Sequence, residues 1–196
     1  LMVVPDDSYS VTAMIDYNSP VLGAQHATLD KIEDFEDHIA SSRTFCFLHE
    51  LELLLNHNLI KGGDLSNAIV VVDKVVSQDE LDKLAVLFNR EKVEVKTEGY
   101  LNNLELRHKN EPARHKLLDV VGDLGLVGAP IQGKIIAKRP GHAANVEFAK
   151  LIRKKMEAEK NAVPRFDLTK TLYDINKIMT LLPHRPPFLM VDRILE

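Results

Sequence analysis

Cysteine and tryptophan are the scarcest residue types in this sequence of 196 residues, which has one Cys and no Trp. A single cysteine excludes a disulfide framework within the chain, and this suits a reducing, cytoplasmic location. Cys46 lies in an apolar stretch, so we interpret it as a small buried hydrophobic residue and not as a nucleophile.

The sequence also has no excess of basic residues and no long apolar run. The 25 Lys and Arg residues are outnumbered by 29 Asp and Glu, which gives a net charge of −4 and argues against a nucleic-acid-binding protein. No apolar run approaches the ~20 residues that a transmembrane helix needs. The N-terminus has no basic segment before an apolar stretch, so no secretory signal is expected. The 45% of hydrophobic residues is typical of a soluble globular protein.

Hydrophobic periodicity predicts a mixture of strands and helices. Strands are predicted over 8–17, 24–29, 68–72, 92–96 and 131–138, and helices near 31–41, 48–58, 78–88, 112–124 and 145–159. The order shows no regular alternation of strand and helix, so we expect an α+β fold with helices packed on a mixed β-sheet.

The C-terminal region differs in composition from the rest. Residues 160–171 are polar and contain Pro164, which is typical of a linker. After it, Ile175 and Ile178 predict a new helix that Pro183 ends. We therefore expect a first domain over 1–158, a linker over 159–172 and the start of a second domain over 173–196.

The predicted helix over 112–124 carries His115, Asp119 and Asp123 four residues apart, on one face. Histidine and carboxylate at this spacing can bind one zinc ion, although a catalytic zinc needs three protein ligands. By spacing alone, an exposed surface pair is the more common explanation. Gly122 disfavours a helix interior and suggests that another backbone passes close by. His142, which follows a glycine on a loop, either reaches a pocket or is exposed.

This helix resembles the signature helix of the UDP-3-O-acyl-N-acetylglucosamine deacetylases, the zinc enzymes that commit the pathway to lipid A. The resemblance covers about residues 5 to 157, and three further stretches agree in order. They are Asp16-Tyr17-Asn18-Ser19-Pro20, Ser42-Arg43-Thr44-Phe45 and Gly141-His142-Ala143-Ala144-Asn145.

The resemblance implies a zinc cofactor with His115 and Asp119 as ligands. It also implies that Asp123 orients His142, which would steady the oxyanion or protonate the leaving amine. Thr44 would donate a hydrogen bond to the same oxyanion.

Further residues are implied to bind the UDP-acyl-glucosamine substrate. Lys116 would contact it and Phe45 would pack on its sugar. Apolar residues around Leu65 and Ala68 would line a passage for the acyl chain.

The sequence departs from the family in several places. Cys46 stands where glycine is usual and Glu50 where aspartate is usual, which puts the shape of the acyl entrance in doubt. Residues 77–105 are longer than in compact members and are interpreted as a peripheral insertion. The family's third zinc ligand and its general base lie together as Glu-His, and this dipeptide is absent here. We therefore expect this stretch of chain to be inactive alone.

The segment from Ile178 to Arg193 is similar to the N-terminus of the 3-hydroxyacyl-ACP dehydratases, which have the hotdog fold. This resemblance implies a fused deacetylase and dehydratase, with acyl carrier protein as a second partner and a homo-oligomeric parent. It gives His184 no catalytic role.

Two other functions stay open. One is a fatty-acid dehydratase with a degenerate front domain, which the intact set of His115, Asp119, Asp123 and His142 disfavours. The other is a non-catalytic module that binds an acyl-sugar or a protein and needs no metal.

Overall fold

The computed structural model describes residues 1–51, 67–87, 91–95, 99–161, 167 and 169–195. The chain divides into two compact units, Leu1–Arg153 and Lys154–Glu196. Residues 48–51 are helical, and the rest of the helix predicted over 48–58 lies outside the described residues. The domain boundaries at 158 and 172 remain predictions.

Besides the helical residues 48–51, the described residues form nine strands and five α-helices. The strands are β1 (Met2–Val4), β2 (Tyr9–Asp16), β3 (Ala24–Leu29), β4 (Thr44–Phe47), β5 (Ala68–Val72), β6 (Gly99–Tyr100), β7 (Gly133–Lys138), β8 (Thr171–Asp174) and β9 (Arg193–Leu195). The helices are α1 (Phe35–His38), α2 (Gln78–Leu87), α3 (Glu111–Leu124), α4 (His142–Lys160) and α5 (Ile175–Leu181). Short 3-10 turns cover Ile32–Asp34, Leu101–Asn103 and Gly125–Val127.

A four-stranded sheet with the order β1-β7-β2-β3 is the base of the first unit. β7 runs parallel to β2, whereas the other two pairs are antiparallel, so the sheet is mixed as predicted. Alternation along β2 places Val11, Ala13 and Ile15 on the buried face. On the other face the hydroxyls of Thr12 and Thr28 lie 3.1 Å apart and are exposed.

Helix α3 packs on β2 and β3. Its apolar side buries Ala113, Leu117, Val120 and Leu124, which follow the helical period. The helix predicted over 112–124 is therefore confirmed. The close approach predicted at Gly122 is wrong for the described residues, since a Cβ added there would meet none of their atoms within 4 Å outside the backbone of its own helix.

A second sheet of the first unit has the order β4-β5-β6. β5 is the buried strand that its run of β-branched residues predicts. Its Val70 and Val72 pack in one apolar cluster with Leu84 of α2. The strand predicted over 92–96 is wrong in the described part, because residues 92–95 have no regular structure. There the Asn102 side chain accepts a hydrogen bond from the Glu94 backbone N–H at 3.1 Å, so a side chain takes the place of a ladder partner.

The second unit contains β8 and β9, which pair antiparallel, and the short helix α5. Asp174 caps α5 by accepting a hydrogen bond from the Lys177 N–H at 2.8 Å, and the helix ends at Leu181, before Pro183. These described residues form no hotdog domain by themselves, and the start of one remains a prediction. None of the helices in the described ranges has the length and apolar character needed to cross a membrane.

Candidate active site

The predicted site residues lie on three elements of the first unit. His115, Asp119 and Asp123 are on α3, Thr44 is at the start of β4, and His142 begins α4 directly after the turn that follows β7. α3 lies against the sheet that contains β7, so its polar side can meet the first residue of α4.

His115 is held in one ring tautomer by the backbone. Its Nδ1 lies 3.1 Å from the carbonyl oxygen of Ser42, and only a protonated Nδ1 can donate to that acceptor. In the neutral imidazole, the other ring nitrogen, Nε2, then carries the lone pair. It lies 3.4 Å from Oδ1 of Asp119.

The His115–Asp119 pair is enclosed. The side chain of Asp119 is 6% exposed and that of His115 is 16% exposed. The surface pair that spacing alone favours is therefore not what the structure contains. Lys116 donates a hydrogen bond to the other Asp119 oxygen, Oδ2, at 3.0 Å. One carboxylate oxygen is occupied by a lysine and the other points toward a histidine lone pair.

The donor set can supply part of a cation site. A separation of 3.4 Å is longer than a normal hydrogen bond. It matches the distance of about 3.3–3.5 Å between two ligands that lie 2.0–2.1 Å from a tetrahedral zinc ion. Within the described ranges no group of three or more His, Cys, Asp or Glu side chains converges. These residues therefore present two ligands to such an ion.

His142 is oriented by a second carboxylate. Its Nδ1 lies 2.9 Å from Oδ2 of Asp123, and its side chain is 69% exposed. Nε2 lies 3.9 Å from Oδ2 of Asp119, which brings the two histidine–carboxylate pairs together. Asn145, fully buried on α4, donates a hydrogen bond to Oδ2 of Asp123 at 2.9 Å. Sequence analysis gave Asn145 no role, although it lies in one of the matched stretches.

Phe45 lies between two polar groups at this site. Nζ of Lys116 is 5.6 Å from the centre of its ring, a cation–π distance, and the rings of Tyr17 and Phe45 form a T-shaped pair with centroids 5.5 Å apart. Burial raises the pKa of Tyr17, Lys116 opposes that change and Asp119 adds to it. Tyr17 therefore belongs to the same site, which its place in a matched stretch could have indicated.

Thr44 is exposed and pairs directly with Ala68 across the parallel strands β4 and β5. Leu65 lies outside the described residues. Cys46 is half-buried, and burial, followed by the nearby Glu50 charge, raises the pKa of its thiol to about 11. That pKa disfavours a nucleophilic thiolate, in agreement with its interpretation as an apolar residue.

A buried ion pair beside the site was not predicted from the sequence. The Glu111 side chain is completely buried, and Nε of Arg43 donates to its Oε1 at 2.8 Å. Burial alone would raise the pKa of this carboxyl, but hydrogen bonds from the Arg43 side chain and from the N–H groups of Arg43 and Arg107 outweigh it and lower the pKa to about 2. Charged groups of opposite sign, 68 residues apart, carry no periodic signal in a sequence.

Comparison with known proteins supplies further evidence. The profile of a family described as UDP-3-O-acyl N-acetylglycosamine deacetylase matches residues 1–93 and 85–154. A protein of Porphyromonas gingivalis named bifunctional enzyme LpxC/FabZ is 49% identical over the whole chain, which covers 43% of that protein. A bifunctional enzyme LpxC/FabZ of Bacteroides thetaiotaomicron is 45% identical with the same coverage. A UDP-3-O-acyl-N-acetylglucosamine deacetylase of Leptospira biflexa is 37% identical over 78% of the chain and 42% of its own length. The chain thus spans less than half the length of these relatives.

Proposed function

This chain belongs to the UDP-3-O-acyl N-acetylglycosamine deacetylase family, and from that premise we propose that it forms one side of a zinc-dependent deacetylase active site. The substrate in this proposal is UDP-3-O-[(3R)-hydroxyacyl]-N-acetylglucosamine, an intermediate of lipid A biosynthesis. The observation that carries the proposal is the enclosed pair of His115 and Asp119, with a free histidine lone pair 3.4 Å from a carboxylate oxygen.

His115 and Asp119 would hold the zinc ion through Nε2 and Oδ1. When bound, zinc supplies Lewis acidity for the attack of water on the N-acetyl carbonyl carbon. The hydrogen bond from His115 Nδ1 to the Ser42 carbonyl is the kind of outer contact that orients a ligating imidazole. The third ligand and the general base would come from another part of the full-length protein. Two facts support this: the described residues offer two converging ligands, and the chain covers 43% of its bifunctional relatives.

His142 would donate a proton to the leaving amine. Water adds to the carbonyl carbon, the C–N bond breaks, acetate leaves, and the amine nitrogen of glucosamine gains the proton. Asp123 fixes Nδ1 of His142 at 2.9 Å, so Nε2 is the atom presented to the substrate. Asn145 in turn fixes Asp123.

The remaining site residues would bind and polarise the substrate. The exposed hydroxyl of Thr44 would donate a hydrogen bond to the developing oxyanion. Phe45 would offer a ring face to the sugar, and Lys116 would contact a polar group of the substrate. Ala68, next to Thr44 in the sheet, and Leu65 would line the passage for the acyl chain.

A dehydratase that acts on (3R)-hydroxyacyl-ACP would be fused to the deacetylase. The match to the bifunctional relatives runs through the whole chain, whereas the family profile ends at residue 154 and the deacetylase of Leptospira biflexa matches over 78% of the chain. Residues beyond 154 would therefore lead into the dehydratase, which would bring acyl carrier protein as a partner. We further propose a cytoplasmic, homo-oligomeric enzyme.

Acetate release by the full-length protein tests the deacetylase. Loss of a residue that hydrogen-bonds to a zinc ligand lowers metal affinity or activity by about 10–100-fold. His115→Ala removes a ligand itself, so it should lower both by more than about 100-fold. His38→Ala removes an exposed histidine of α1 and should keep both at the wild-type level. Full activity of His115→Ala, or acetate release without bound zinc, would reject the proposal. A non-catalytic module would bind the substrate without zinc or acetate release.

A further inference from the structure

We propose that Glu111 is a positioning residue of the active site, which holds the backbone around Arg43 so that the Ser42 carbonyl fixes the ring of His115 and Thr44 keeps its place. This inference rests on the proposed function. It assigns a role to a side chain that would touch neither zinc nor substrate.

The Glu111 carboxylate has four donors around it. Oε1 accepts from the Arg43 backbone N–H at 3.0 Å and from Arg43 Nε at 2.8 Å. Oε2 accepts from Arg43 Nη2 at 3.0 Å and from the Arg107 backbone N–H at 2.7 Å. Two of these donors are backbone groups, so the carboxylate fixes the main chain at Arg43 as well as a side chain.

The same segment is held a second time by the same helix. Glu111 and His115 are four residues apart on α3 and therefore on one face. Glu111 binds the N–H of Arg43, and His115 binds the carbonyl of the preceding residue, Ser42. One helix turn thus contacts both sides of a single peptide bond, and Thr44 is the next residue along the chain.

The segment is also tied to the chain that leads into α3. Nη2 of Arg43 donates to the Glu105 carbonyl at 2.9 Å, and the Arg107 side chain donates to the Ser41 carbonyl. Residues 41–43 and 105–111 are therefore linked at several points. Movement of Arg43 would shift the acceptor of His115 Nδ1 and the hydroxyl of Thr44 together.

Stability alone is a weak reason for such a pair. Burial of two charges costs several kcal/mol per ion, and well-packed apolar residues often stabilise a fold as well or better. A role in positioning the backbone explains why this place is occupied by a charged pair, Arg43 and Glu111. The forked guanidinium and the carboxylate fix the direction of their hydrogen bonds as well as the distance.

The test compares Glu111→Gln and Arg43→Lys with wild type in the full-length protein. Glutamine replaces one oxygen by an NH₂ group, which would face N–H donors, and lysine loses the fork while keeping its charge. We expect both variants to lower zinc affinity and kcat by about 10–100-fold, as for other partners of metal ligands. KM should stay within about threefold of wild type, since neither side chain would contact substrate.

Leu84→Ala is the control for simple loss of stability. Leu84 of α2 lies in an apolar cluster, and its truncation should lower the melting temperature without changing the segment 41–44. Zinc affinity and kcat of this variant should match wild type below its melting temperature. Wild-type zinc affinity and kcat in either folded variant, Glu111→Gln or Arg43→Lys, would overturn the positioning role.

A spectroscopic measurement separates this inference from the proposed function. In ¹⁵N NMR of histidine-labelled metal-free protein, wild-type His115 should show the Nδ1–H tautomer, and Glu111→Gln should show a mixture of tautomers. If the wild type neither binds zinc nor releases acetate, the proposed function fails, and this spectrum still tests the contact. An unchanged tautomer in Glu111→Gln overturns the positioning inference even if wild type is active.

Discussion

The two ends of α3 carry carboxylates in opposite situations. At the N-terminal end Glu111 is completely buried, and both of its oxygens are filled by donors from Arg43 and Arg107. In the C-terminal half, Asp119 is almost as buried, yet one oxygen faces the lone pair of His115 at 3.4 Å. The Glu111 carboxylate thus has hydrogen-bond donors from its own chain on both oxygens. At Asp119, one carboxylate oxygen instead faces Nε2 of His115, an acceptor in the neutral ring.

Under the proposed function, that difference separates a structural cluster from a metal-binding one. Two acceptors that face each other in an enclosed place are unfavourable unless a cation or a proton lies between them. In the proposed function, a cation lies between the two atoms at the His115 end, whereas the Glu111 carboxylate is held by donors of its own chain. Substitutions at the two ends should therefore differ in their effect on stability.

The largest effect on stability should come from Glu111→Ala. It leaves the Arg43 guanidinium, which is 9% exposed, without its partner, and breaking a buried pair in this way costs about 3–5 kcal/mol. Hydrogen exchange of the α3 amides in the intact protein reports the opening free energy of this region.

At the other end of the helix, Asp119→Asn should cost at most about 1 kcal/mol in zinc-free protein, because it removes one acceptor from a facing pair. Equal losses for the two variants would contradict the distinction between the ends. So would a loss for Asp119→Asn that exceeds the loss for Glu111→Ala.

The next largest effect is a pH dependence that arises from Glu111. Hydrogen bonds from Arg43 and Arg107, against the effect of burial, lower the pKa of Glu111 from 4.5 to about 2 in the folded protein. A lowered folded pKa adds stability that is complete above about pH 4.5 and is lost as the pH falls toward 2. The opening free energy of α3 should therefore decrease by roughly 3 kcal/mol over this interval.

Glu111→Gln supplies the control for this acid effect. Its loss of opening free energy between pH 4.5 and pH 2 should be smaller than that of wild type by the same amount. The measurement is hydrogen exchange corrected for the intrinsic pH dependence of amide exchange. Parallel curves for the two proteins would show that Glu111 titrates normally and that its contacts are weak.

Asn145→Ala should have an intermediate effect. The side chain is fully buried and donates to Asp123, but its own carbonyl oxygen has no hydrogen-bond partner among the described residues. The lost bond to a carboxylate is offset in part by removal of that unpaired oxygen, so we expect a cost of about 1–2 kcal/mol. Exchange of the first turn of α4 measures it, with the exposed Asn161→Ala as a control near zero. If Asn145→Ala lowered the opening free energy more than Glu111→Ala does, the contacts of Glu111 would not be the main contribution to the stability of this region.

The sequence predicted the elements that depend on periodicity. Strands β2, β5 and β7 and helix α3 follow their hydrophobic patterns, and the α+β class is confirmed. The strand predicted over 92–96 is wrong in its described residues, because a left-handed Asn102 and its side chain replace ladder pairing, which alternation does not encode. The contacts of Glu111 were missed because hydrogen bonds across 68 residues have no period. For the site, matched stretches identified residues, whereas the ring tautomer of His115 required coordinates.

The smallest effect should come from Lys150→Ala on the outer part of α4. Glu147 and Lys150 form an ion pair at 2.6 Å, but their side chains are 68% and 67% exposed. Water screens such a pair and its ordering costs entropy, so the opening free energy should change by less than about 0.5 kcal/mol. Raising the salt concentration should make no further difference. A larger loss would mean that exposure is a poor guide to the worth of charged pairs on these helices.

This last variant also bears on His115 and Asp119, because both pairs have helical spacing and sequence alone treats them alike. Spacing brings two side chains to one face in either case. Burial decides what happens next: Asp119 is 6% exposed, and Glu147 is 68% exposed. If Lys150→Ala leaves the opening free energy unchanged while His115→Ala removes zinc binding, burial and not spacing distinguishes a ligand pair from a surface pair. If both are silent, the enclosed pair is structural and the two ends of α3 differ in stability alone.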